Sequence, residues 1–188
     1  FRLGALVGIS TYMTRPDLHD GYFDRVVDLG TGLGVQQIFM FDCVPTGAML
    51  HERERVLTPD DRAHLRELVK GQNAAPSGPA IMGQSWVNSP EGFGCFAGFH
   101  QLYVTATGDV APCDFTPITF GNVRKERLKT VWDRMRASEE WGERFMECRM
   151  QDPEFRANTV DLLGDDNDTW PVPYEKILEL RAERDRAT

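Results

Sequence analysis

Apolar runs alternate with helix-period segments over the first 86 residues, and that alternation constrains the chain to an α/β fold. Ala5-Leu6-Val7-Gly8-Ile9 and Ile38-Phe39-Met40-Phe41 are near-continuous apolar runs, as in parallel strands covered on both faces. Between them, Asp20 offers a helix N-cap, and Phe23, Val26 and Val27 recur on one helical face. Gly30-Thr31-Gly32-Leu33-Gly34 then ends that helix; a phosphate loop has its glycines after a strand and before a helix, the reverse of this order. A second helix starts at Thr58-Pro59-Asp60-Asp61, presents Leu65, Leu68 and Val69, and meets a stop signal at Gly71. After a Pro/Ala/Ser/Gly linker at 74–79, Ile81 to Trp86 reads as a third strand. Such units wind right-handedly into a parallel sheet. A sheet of about three units that starts at residue 1 reads as the second half of something larger. The apolar run Phe1–Val7 is unlike an ordinary N-terminus, so upstream sequence is expected.

From about residue 87 the texture changes. Residues 101–105 and 109–112 flank Ala106-Thr107-Gly108 as a hairpin, with Asp109 a turn residue. Leu128, Val131, Trp132 and Met135 mark a helix, and Trp141 and Phe145 a shorter one leading to Cys148. Residues 161–169 read as an acidic mobile loop, and 172–186 as a charged helix with Tyr174, Ile177 and Leu178 on its apolar side. A net charge of −8 argues against nucleic acid, whose phosphates require a basic face. No apolar stretch approaches the roughly 18 residues of a membrane span, and no secretory signal is visible. A cytoplasmic location is therefore expected, where cysteines serve as core residues, catalytic thiols or metal ligands.

Of the four cysteines, Cys95 and Cys113 bracket the hairpin: twelve residues, Gly108, then four residues separate them. Both thiols should lie near its open end, and Cys148 can fold back onto them. Soft thiolates select iron–sulfur clusters, zinc or copper(I). Spacing alone leaves open three unrelated packed thiols, because no CxxC pair is present. Cys43, at a strand end, reads as a plain core thiol. The histidines have no zinc or triad spacing, although His100 lies near enough to Cys95 to be a spare ligand.

Gly94-Cys95-Phe96-Ala97-Gly98, Gly108-Asp109-Val110-Ala111-Pro112-Cys113, Phe120-Gly121-Asn122-Val123, then Leu128 and Trp132 closely resemble the SPASM/twitch extension of radical S-adenosylmethionine (SAM) enzymes. The resemblance covers residues 92–150, and the preceding units are similar to the end of that family's partial TIM barrel. It implies three regions: barrel at 1–86, a SPASM/twitch-like α+β domain at 87–155, and an acidic loop and helix at 156–188. It further implies one auxiliary [4Fe–4S] cluster on Cys95, Cys113 and Cys148, as in the shorter twitch form, with Asp114 as a possible fourth ligand. SAM would lie near Gly8, Ser10, Asp42 and Val44, and substrate near Gln84, Trp86 and Asn88. A flavodoxin or ferredoxin would donate electrons, and the substrate would be a peptide or small molecule.

The family's CxxxCxxC motif is absent from these 188 residues, so SAM cleavage is expected only of a longer protein. Two other classes stay open. The same cysteines could hold a structural zinc, with Asp114 or His100, or the hairpin edge could bind a peptide without any metal.

Overall fold

The computed structural model describes residues 4–164, 167 and 169–187. They form two compact units, divided in sequence between Phe93 and Gly94.

The first unit is α/β. Its three-stranded parallel sheet has the order β1 (Gly8–Met13), β2 (Gln37–Asp42), β3 (Ala80–Gly83). The first strand lies further along than the apolar run suggests. Ala5–Val7 precede it, and alternation within Gly8–Met13 decides which residues pair and which face is covered. Ile9, Ile38 and Ile81 share one register line, and this side packs against helices around Met13, Ile38, Met40 and Leu65. The opposite side is not covered as expected: Tyr12, Phe41 and Met82 are 56%, 40% and 46% exposed.

Thr14, not Asp20, starts the first helical segment. It caps α1 (Arg15–His19) in a reciprocal box with Asp17, while Asp20 accepts from Arg25 at 2.9 Å. α2 (Tyr22–Leu33) begins after Gly21 and ends at Gly34, whose φ of 68° suits glycine. Gly30 lies inside that helix because a Cβ there would come within 3.0 Å of Ile38, so α2 can approach the sheet closely.

α3 (Pro59–Ala74) starts as the sequence indicates, with Thr58 and Asp61 forming a capping box. It runs through Gly71 because Asn73 clamps the backbone of Ile81 from the last turn, accepting at 2.7 Å and donating at 2.8 Å. β3 stops at Gly83, short of the expected Trp86; a Cβ at Gly83 would lie 2.9 Å from Val69. The chain then turns into α4 (Gln84–Val87).

The second unit has little regular structure. A short hairpin pairs β4 (Tyr103–Val104) with β5 (Val110–Ala111). β6 (Ile118–Thr119) pairs in parallel with β7 (Val172–Pro173), a pairing across 54 positions that local sequence does not signal. Three helices complete it: α5 (Leu128–Arg136), α6 (Pro153–Ala157) and α7 (Tyr174–Ala187). Val131, Met135, Tyr174 and Ile177 are buried as their periodicity predicts, whereas Leu128 and Leu178 are each 43% exposed.

The expected helix through Trp141 and Phe145 is absent. Trp141 goes to the core, where its ring meets Phe120, Phe155 and Tyr174, and the backbone bends so that Phe145 bridges Cys95. The loop expected at 161–169 falls partly outside the described residues; its first part, Val160–Leu163, is a 3-10 turn. Among the described residues, no helix is long and apolar enough to cross a membrane.

Candidate metal centre

Three short-range devices place the cysteines of the second unit. Cys95 follows Gly94, a left-handed residue with φ 76°, and its N–H donates to the Phe145 carbonyl at 2.7 Å. Cys113 leaves the end of β5, its sulfur 3.2 Å from Thr116 Oγ1 and reached by the Phe115 N–H. Cys148 begins the 3-10 turn Arg149–Gln151, so the Met150 and Gln151 N–H groups converge on its sulfur.

The hairpin carrying Cys113 is fixed from outside. Gly108, at φ 94°, turns it, and a Cβ there would lie 2.8 Å from Asn122 Oδ1. Asn122 donates to the Thr107 carbonyl at 3.1 Å and to Asp109 at 2.9 Å. Hydrogen bonds from Thr107 and Asn122 hold the Asp109 carboxyl below its ordinary value. Asp109 is thus the turn residue the sequence suggests.

All three thiols are free and buried, with 7–8% of each residue exposed. Burial pushes the Cys113 thiol up to about 11, despite the Thr116 and Phe115 hydrogen bonds. Burial also raises Cys148, and a charge on Cys95 or Cys113 raises it further, which places the three within mutual electrostatic range. As thiols, Cys113 and Cys148 are protonated and inert at neutral pH. Among the described residues, no three His, Cys, Asp or Glu side chains are drawn into metal-coordinating geometry. The donor set nonetheless fits a soft metal centre: three buried sulfurs within mutual electrostatic range, two of them met by backbone N–H groups of the kind that tune cluster sulfurs.

The neighbouring candidates separate. Asp114 is exposed, and among the charges acting on Cys113 its influence is the weakest. His100 is also exposed, and its ring packs edge-on against Phe96 and Phe99. In the same unit, buried Glu140 holds Tyr174 and Arg181 of α7 through its carboxylate and Arg149 through its carbonyl. Burial and then Glu140 push the Tyr174 hydroxyl well above its ordinary value. Glu140, Arg149 and Arg181 line a cavity of about 430 Å3 with Phe145 and Phe155. Sequence reading misses this group, because residues 41 positions apart form the ion pair and charged residues read by default as surface.

In the first unit, Gly8 opens β1 instead of ending it, and Ser10 is mid-strand; both lie on the uncovered sheet face. The strand end expected at Ser10 is at Met13. Asp42 does close β2, but it turns to the covered side, where Oδ1 accepts from Ser85 Oγ at 2.6 Å. Val44 is buried beyond it. Gln84 accepts from the Asp42 N–H at 3.2 Å, and Asn88 donates its N–H back to the Gln84 carbonyl at 2.7 Å. Trp86 is half-buried on α4. Cys43 is 3% exposed, its thiol raised by burial, as befits a core residue.

Residues 95–159 match the SPASM family model, an iron–sulfur cluster-binding domain. All of the matched residues lie in the second unit. The matched span begins at Cys95 and contains Cys113 and Cys148. The chain is also similar to an AdoMet-dependent heme synthase from Oleidesulfovibrio alaskensis, 25% identical over 146 residues. That alignment covers 66% of this chain and 37% of the relative, so the chain spans well under half the relative's length. No solved structure matches the chain. The matched span also includes Gly98, which lies against Trp141, and Gly108 and Asn122, which meet at the hairpin turn.

Proposed function

We propose that this chain is the auxiliary-cluster portion of a radical SAM enzyme, with Cys95, Cys113 and Cys148 as ligands to one [4Fe–4S] cluster. The observation that carries this reading is the burial of three thiols, within electrostatic range of one another, in the span that matches the SPASM family model. When bound, the cluster supplies a one-electron acceptor or an iron at which substrate coordinates. The chain's own part is placement and shielding. Backbone N–H groups at Met150, Gln151 and Phe115 stabilise thiolate charge, and burial keeps water from the sulfurs. A fourth position would be open to substrate or to Asp114.

The first unit extends this reading to a partial barrel. Parallel sheets are ordinarily covered on both faces, so the uncovered side bearing Ser10, Tyr12, Phe41 and Met82 suits a barrel interior. SAM and a peptide or small-metabolite substrate would occupy that interior near Gly8 and Ser10, and a flavodoxin or ferredoxin would supply electrons. Asp42 and Val44, turned away or buried, would support the site from behind.

The deciding experiment is anaerobic reconstitution of the chain with iron and sulfide. About four irons per chain and broad absorbance near 400 nm are expected. Cys95→Ala, Cys113→Ala and Cys148→Ala should each abolish or sharply reduce both, while Cys43→Ala should retain them. One zinc without iron would replace the cluster with a structural zinc site, and no metal at all would withdraw the metal-centre reading.

A further inference from the structure

Arg149 is 8% exposed, yet among the described residues it makes no ion pair with a carboxylate. Arg156, the other buried arginine near it, pairs with Asp161 at 2.7 Å. One Arg149 N–H donates to the Glu140 carbonyl, and its Nε has no partner among the described residues. Its guanidinium lies over the Phe145 ring and 5.4 Å from the Phe155 centroid. The nearby carboxylates are already engaged. Glu140 holds Tyr174 and Arg181, and Asp152 caps α6 through the Glu154 N–H at 2.9 Å. A buried cation without a counter-charge is strongly unfavourable. The remaining acidic group within range is the Cys95 thiol, and Arg149 itself follows Cys148 directly.

We propose that Arg149 is the counter-ion of the three-cysteine site, supplying the positive charge that three thiolates and their cluster would otherwise lack. This inference rests on the cluster reading above. A fixed cation beside a cluster favours the more negative, reduced form, so Arg149 raises the reduction potential. Arg149 is a positioning and tuning residue, not a ligand.

The test uses the whole chain, reconstituted without oxygen, as parent, Arg149→Met, Arg149→Gln and Arg149→Lys. Iron is counted first. Dithionite then delivers one electron per cluster, taking [4Fe–4S]2+ to [4Fe–4S]+, and the reduced fraction is read by electron paramagnetic resonance at fixed potentials. Arg149→Met is expected to reduce about tenfold less favourably, a downward shift of about 59 mV for one electron. Arg149→Lys should stay within about threefold of the parent. Failure of Arg149→Met to load iron while its circular dichroism matches the parent's would also support the proposal, since the charge would then be needed to assemble the site. Should Arg149→Met not fold, Arg149→Gln is read in the same way. Full iron with an unchanged potential in the neutral variants would overturn the counter-ion role and leave the cluster standing. A parent chain that holds no iron would overturn both.

Discussion

At the scale of single residues, the second unit depends on glycines that let side chains close in. Gly98, at φ 62°, lies against Trp141, and an added Cβ would be 2.6 Å from the indole Cδ1. Gly98→Ala therefore combines left-handed strain with overpacking, and a loss of about 2–4 kcal/mol is expected from the two together. Urea denaturation of the metal-free chain would measure it. Asn122→Ala should cost about 1–3 kcal/mol by leaving the Thr107 carbonyl and Asp109 without their donor. These residues were legible as a pattern in the sequence, but not as a mechanism. Gly108 and Asn122 are 14 positions apart, and nothing local says that one makes room for the other. Arg149 left no signal at all, because an arginine beside a cysteine is ordinarily solvated.

Among the elements, the start signal at Thr58 and the stop signal at Gly34 were read accurately, and those at Asp20 and Gly71 were not. The Thr58 box at the head of α3 is a local hydrogen-bond device, and Thr58→Ala should cost about 1 kcal/mol, seen as a lower urea midpoint. Burial alone would raise the Asp61 carboxyl in that box, but hydrogen bonds from Thr58 and His19 and the charge of Arg15 hold it below its ordinary value of 3.8. A carboxyl lowered on folding stabilises above its unfolded pKa and loses that contribution as pH falls through the folded value. The parent should therefore lose stability below about pH 4, and Asp61→Asn should flatten that part of a Tm-against-pH curve. Helix and strand ends were misplaced because distant partners set them. Asn73 carries α3 past Gly71 by gripping β3, and the missing helix near Trp141 gives way to a ring drawn into an aromatic core. β6 and β7 could not be seen in advance, since two-residue strands carry no periodicity.

For the whole molecule, the uncovered sheet face is the feature with the largest physical consequence. Tyr12, Phe41 and Met82 present apolar surface on one face of β1, β2 and β3, with Tyr12 paired to Phe41 and Met82 to Phe39. The isolated chain should bind an apolar dye such as anilinonaphthalene sulfonate while folded, and Phe41→Asp should weaken that fluorescence several-fold without unfolding the unit. The parallel strands were legible because both middle runs are apolar; the bare face was not, because the same runs also suit strands covered on both sides. The pairing of β6 with β7 bears instead on how the molecule is made. Val172 must emerge from the ribosome before the partner of Ile118 exists, and Arg181 must follow before Glu140 has its cation. All three cysteines precede both of these partners in the chain, so the contacts made by Val172 and Arg181 form only after the sulfurs have been synthesised.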